Sequence, residues 1–189
     1  AEVTGFPGRL IEKDYFCSVL LDYLAADESL VFKGGTCLAK VYLDFCRLSE
    51  DLDFAIPMPV DASRGERSRR AENFKKAMTA LPTAIPCLQI DETVKGANSS
   101  TQYIGVIRYQ SLMNPAVEKI KIEVSLREPA LTAPANHPAK CILTDPVSDE
   151  PLLPAIAVKC LSKLETCSEK FLAALTRREV AIRDFFDIE

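Results

Sequence analysis

"FKGGTCLAKVYLDFCRLSEDLDFAIP", residues 32–57, is the stretch whose reading decides the fold. Just upstream, "SLVFK" (29–33) is short, rich in β-formers and stopped by Gly34-Gly35, so it reads as a strand. Thr36 stands where an N-cap belongs, and Cys37, Leu38, Val41, Tyr42, Phe45 and Cys46 form one apolar stripe of a following helix. "RLSE" leads out of that helix. "DLDFAI" (51–56) then alternates, with Asp51, Asp53 and Ala55 on one face and Leu52, Phe54 and Ile56 on the other. Each half has an ordinary explanation: Gly-Gly-Thr as a tight turn, Asp-x-Asp as a solvated strand face. Together they suggest more. Glycines between a strand and a helix let backbone N–H groups approach phosphate oxygens. On one strand face the Cα atoms of Asp51 and Asp53 lie about 6.6 Å apart, so their carboxylates can converge on a hard cation such as Mg²⁺.

The flanking sequence supplies a scaffold. Residues 10–27 carry Ile11, Tyr15, Phe16, Val19, Leu20, Tyr23 and Leu24 at helical spacing, with acids and Lys13 opposite. Residues 64–80 read as a strongly charged helix. "TQYIGVIRYQS" (101–111) and "VEKIKIEVSL" (117–126) read as strands joined by the turn "MNPA". In the second of these, Ile120, Ile122, Val124 and Leu126 face one way, and Glu123 lies on the polar side as a candidate third carboxylate. Residues 129–154 hold six prolines and no clear period, which predicts a surface excursion. The pattern Ser162-Lys-Leu-Glu165 is a capping box, predicting a strand to about residue 161 and a helix from 163. On that helix Lys163, Lys170 and Arg177 recur every seven residues beside Leu164, Cys167, Phe171 and Leu175, which are expected to face the core. The fold class is α+β, a mixed sheet flanked by helices. One domain is expected over residues 1–189, its core at about 28–127 and a C-terminal strand and helical part at about 152–189.

Composition removes several chemistries. His137 is the one histidine, which argues against Cys/His zinc sites and Ser-His-Asp triads, so a metal would sit on oxygen ligands. Seven cysteines without a Cys-x-x-Cys pair read as free thiols in a reducing compartment, and the expected location is the cytoplasm. No apolar run approaches the ~18 residues that span a bilayer, and no membrane partner is expected. The formal net charge is −4. Even so, Arg64, Arg67, Arg69, Arg70, Lys75 and Lys76 cluster, either as a solvated helix face or as a phosphate-tracking patch.

The segments "FKGGTCLAKVYLDFCRLSEDLDF", "KIEVSLRE" and "SEKFLAALTRREVAIRDFFDI", with "TGFPGRLIEKDYF" at residues 4–16, resemble the nucleotidyltransferase AbiEii toxin family. Members are toxin components of type IV toxin–antitoxin systems on a DNA polymerase β-like nucleotidyltransferase core. The resemblance implies that Gly34, Gly35 and Thr36 grip a triphosphate and that Asp51 and Asp53 bind the metal. It implies that Glu123 completes the metal site or accepts a proton, and that Lys170 neutralises nucleotide phosphates. Asp184 and Asp187 match the terminal "RDxxD" acids. Arg47 matches a loop position suited to nucleotide binding or loop support, and Arg177 stands alongside Lys170.

The expected activity is Mg²⁺-dependent transfer of a nucleoside monophosphate from an NTP to an acceptor hydroxyl, with Mn²⁺ as a substitute. By resemblance the acceptor is a tRNA 3′ end, and the partners are RNA and a cognate antitoxin. Two other readings stand beside it: a nucleotidyltransferase acting on a small molecule or protein, and a non-catalytic nucleotide- or partner-binding module on the same fold.

Overall fold

A computed structural model describes residues 5–126 and 128–176. Its strands are β1 (Val31–Lys33), β2 (Leu52–Ala55), β3 (Gln89–Ala97), β4 (Gln102–Gln110), β5 (Val117–Ser125), β6 (Ala135–Ala139) and β7 (Ile156–Cys160). They form a seven-stranded sheet in the order β3-β4-β5-β2-β1-β7-β6. The helices flanking it are α1 (Gly8–Ala25), α2 (Gly34–Cys37), α3 (Arg64–Arg70), α4 (Glu72–Ala84) and α5 (Lys163–Thr176). β2 runs parallel to β5 and antiparallel to β1, while β7 runs parallel to β1, so the sheet is mixed as expected.

Alternation explains which way the sheet faces. Leu52, Phe54 and Ile56 from the β2 segment, with Ile120, Ile122 and Val124 from β5, are at most 1% exposed. They meet Phe16, Leu20 and Leu24 of α1 and Phe74, Met78 and Leu81 of α4 in one core. Each such side chain contributes about 1.5–3 kcal/mol on burial. The other face of β2 and β5, bearing Asp53 and Glu123, is thereby left available for chemistry.

Several sequence expectations are corrected. Lys13 and Asp14 on α1 are buried rather than solvated. Lys40 forms an ion pair with Asp14 at 2.5 Å and donates to Ser18 Oγ at 2.8 Å, and Asp14 accepts the Ile142 N–H at 3.1 Å. This desolvated cluster fastens α1 to the segment after the glycines, and removing one partner would leave an uncompensated charge. Thr36 is not an N-cap: the helix opens at Gly34 with Lys33 before it, and the Thr36 hydroxyl donates to the Asp51 carbonyl. The helix continues as a wider π-type turn at Leu38–Tyr42 and ends there, leaving Phe45 at φ 60° and Cys46 exposed. The 64–80 helix is two helices broken at Ala71, the first opened by a complete capping box between Ser63 and Glu66.

Two strands escaped the sequence reading. β3 pairs with β4, and β6, inside the proline-rich excursion, pairs with β7. Both lie at sheet edges, where Pro138 is tolerated because one side of the strand needs no ladder partner. On α5, Leu164, Phe171 and Leu175 do not face the core: they are 77%, 52% and 65% exposed. The helix is seated instead by its polar side. Ser162 Oγ accepts the Glu165 N–H at 3.2 Å, and buried Glu165 accepts the N–H groups of Leu131 and Thr132 at 2.8 and 3.2 Å. Half of the expected capping box is therefore present, and its acid is used to hold a neighbouring loop.

Candidate functional site

Strand register assembles the site. Lys33 of β1 pairs with Asp53 of β2, which pairs with Glu123 of β5, so three charged residues stand abreast across three strands. They face a cleft of about 570 Å³, walled by α5 and residues 128–131, with Lys170 on its lining. That volume suits a small-molecule ligand.

The glycines are dictated by what lies against them. Gly34 sits at φ +77°, and a Cβ there would fall 2.5 Å from Asp53 Oδ2. Neither the conformation nor the space admits a side chain. A Cβ on Gly35 would come 2.6 Å from Arg47 Nη2 and 3.5 Å from Lys170 Nζ. The turn thus lies between an acid below it and two cations beside it, and the bond from Thr36 to the Asp51 carbonyl ties it to the acidic strand.

Carboxylates crowd the floor. Asp53 is held above the ordinary carboxylate range, first by desolvation and then by the adjacent Glu123 and by Asp51; Lys121 and Lys170 oppose the shift. Lys121 Nζ lies 3.4 Å from Glu123 Oε2 and 3.9 Å from Asp51 Oδ2. Glu123 also accepts a hydrogen bond from Gln102 Nε2. Two hard oxygen donors forced together in a partly dehydrated cleft fit a divalent cation, whose charge would relieve their repulsion. Among the described residues, no three His, Cys, Asp or Glu side chains converge into a ready metal cage. The expected trio of Asp51, Asp53 and Glu123 is present as an adjacent pair, with Asp51 drawn toward Lys121 just ahead of the strand.

Supports reach the site from outside. Arg9 and Lys13 of α1 bind Glu50 at 3.1 and 2.8 Å and Glu118 at 3.3 and 3.7 Å, fixing the residue before Asp51 against β5. Lys33 binds Glu169 of α5 at 2.7 Å, next to Lys170, while Lys163 is exposed at the start of that helix. Of the expected residues, Gly34, Gly35, Thr36, Arg47, Asp53, Glu123 and Lys170 are brought together, with Asp51 at the margin. Arg177, Asp184 and Asp187 lie outside the described residues. Sequence reasoning missed Lys33, though alternation from buried Phe32 was a usable signal. Gln102 carried none, because its contact depends on the register of the β4–β5 hairpin.

The fold recurs in two solved structures. JHP933 from Helicobacter pylori aligns at a TM-score of 0.62 and 18% identity, over 97% of this chain and 66% of the other. A second H. pylori protein, provisionally described as a nucleotidyltransferase, aligns at a TM-score of 0.61 and 18% identity, over 96% and 67%. The chain spans about two thirds of the length of each. A search of curated proteins finds no significant match. Among described residues, no helix is long and apolar enough to cross a membrane. The family model described as nucleotidyl transferase AbiEii toxin, type IV TA system, matches residues 19–189, and the chain belongs to that family.

Proposed function

We propose that the protein is a Mg²⁺-dependent nucleotidyltransferase, acting in the cytoplasm as the toxin of a type IV toxin–antitoxin pair. It moves a nucleoside monophosphate from an NTP to an acceptor hydroxyl at a tRNA 3′ end. The observation that carries this reading is the glycine turn, closed against Asp53 on one side and open to Arg47 and Lys170 on the other.

The roles follow from position. Backbone N–H groups at Gly34 and Gly35 bind triphosphate oxygens, and Arg47 and Lys170 offset their charge. Asp53 and Glu123, with Asp51 on the same face, would hold the divalent cation. When bound, that cation polarises the phosphate oxygens and stabilises charge on the departing pyrophosphate. Glu123, oriented by Gln102, is placed to take the proton of the attacking hydroxyl. The segment at residues 128–131, fixed by Glu165, forms the wall that limits water beside the reacting groups.

The test is incubation with α-³²P-labelled NTPs, Mg²⁺ and total tRNA. Label should appear on RNA, and Asp53→Asn or Glu123→Gln should lower its rate about 10²–10³-fold, the scale seen when one preorganised electrostatic group is removed. Label on a small molecule or on protein would move the acceptor to another class. Nucleotide binding with no transfer to any acceptor would replace the enzyme by a binding module.

A further inference from the structure

A second hollow, of about 360 Å³, lies between α3 and the β3–β4 turn, lined by Arg64, Ser68, Asn98, Ser99, Ser100 and Tyr103 among others. Three consecutive non-glycine residues there, Asn98, Ser99 and Ser100, hold φ of 49°, 54° and 63°. The turn is thereby folded tightly, with Asn98 and Ser99 exposed at its tip. Lys75 sits over the Tyr103 ring at 5.3 Å and donates to the Ser68 carbonyl at 3.1 Å, fixing the hollow's wall to α4. Across residues 64–76, six basic side chains face two acidic ones, a local excess of four positive charges in a chain of net −4. Lys75 is engaged by Glu72 as well, but α3 buries none of its residues, and Arg64, Arg69 and Arg70 are exposed.

The hollow is wired to the carboxylates. Asn98 Nδ2 donates to Gln102 Oε1 at 3.2 Å, and Gln102 Nε2 donates to Glu123. A chain of amides thus runs from the turn to the residue beside Asp53.

We propose that this hollow binds a phosphodiester of the RNA acceptor and leads its strand to the Glu123 side of the cleft. A guanidinium with nearby hydroxyls and an amide is the donor set that nucleic-acid backbones meet on proteins. Such contacts set position without reading sequence. Only the path onward to Glu123 rests on the nucleotidyltransferase reading; the hollow's affinity for RNA does not.

The experiment uses the full chain and two separate probes. A fluorescein-labelled RNA hairpin with a single-stranded 3′ end is titrated by anisotropy across a NaCl series, and binding of a fluorescent ATP with Mg²⁺ is measured without RNA. The double variant Arg64→Ala/Ser68→Ala, which removes two side chains lining the hollow, should lose about tenfold in RNA affinity. Its log affinity should depend less steeply on log salt, by about one unit of slope per lost phosphate contact. Its ATP binding should match wild type, as should RNA affinity in the control Lys140→Ala on the far edge of the sheet. Unchanged RNA affinity and slope in the double variant would overturn the proposal. So would a wild-type protein that binds ATP but no RNA, leaving an acidic protein as the patch's partner. RNA bound at the hollow by a chain that binds no ATP would sustain the site and instead sink the nucleotidyltransferase reading.

Discussion

Leu52, Phe54 and Ile56 point into a core where burial favours each of them, whereas Asp53, between them in sequence, points into a cleft where burial works against it. One short strand therefore carries two opposed energetics. On the inner face, dispersion and dehydration of apolar surface hold the sheet to α1 and α4. On the outer face, a desolvated acid is set beside another acid, and a left-handed glycine is pressed over it. The inner face makes the outer arrangement persist, since a lone strand would relax by turning its carboxylates to water. The repulsion between two acids held together by surrounding packing is what a bound cation would relieve on the proposed reading.

The largest expected effect belongs to the inner face. Phe54→Ala should cost about 3–5 kcal/mol, as truncation of a buried aromatic does. Thermal denaturation should show it plainly, while the folded fraction keeps its nucleotide affinity. A loss below 1 kcal/mol, on the order of an ordinary surface change, would break the division between faces.

The glycines sharpen it. Gly34→Ala forces a Cβ into positive φ and against Asp53, and should cost about 1–3 kcal/mol of stability together with NTP binding. Gly35→Ala meets side-chain ends alone, those of Arg47, Ser49 and Lys170. Its stability should stay within about 0.5 kcal/mol of wild type, while NTP affinity, read by calorimetry, still falls. Equal stability for the two variants would contradict the geometry.

The smallest effect separates two lysines on α5. Lys170→Ala should weaken NTP binding about tenfold, in keeping with the loss of one charge-assisted contact, with little change in melting temperature. Lys163→Ala, exposed at the helix start, should leave binding unchanged. Equal effects would return Lys170 to the solvated surface.

How much of this was legible in the sequence follows the same division. The alternation of Asp51–Ile56 and Val117–Leu126 is a two-residue period with one apolar face, and it gave both the strands and their orientation. Ser162 marked the start of α5 because a cap is a local hydrogen bond. Edge strands β3 and β6 carry no apolar face strong enough to show, so local pattern was silent about them. The burial of Lys13 and Asp14 was hidden as well, because their partners are distant in sequence: Lys40 lies 26 residues from Asp14, and Glu50 lies 37 residues from Lys13. The apolar residues of α5 misled, since a helix seated by Ser162 and Glu165 does not need its apolar side turned inward. For the site, residue types were readable. The facts that Asp53 stands against Glu123, and that Lys33 joins them, belong to strand register.

The most direct measurement compares melting temperatures of wild type and Asp53→Asn at pH 7, with and without Mg²⁺. A carboxyl whose pKa is raised on folding favours the folded state at low pH, and that contribution is lost as pH rises through the raised value. At neutral pH the charged group therefore opposes folding, and the neutral amide should raise the melting temperature in the absence of metal. Mg²⁺ should then raise that of wild type and leave the Asn variant nearly unmoved. A variant that melts below wild type without metal, or that gains as much from Mg²⁺, would contradict the account of Asp53 and Glu123 as a strained pair awaiting a cation.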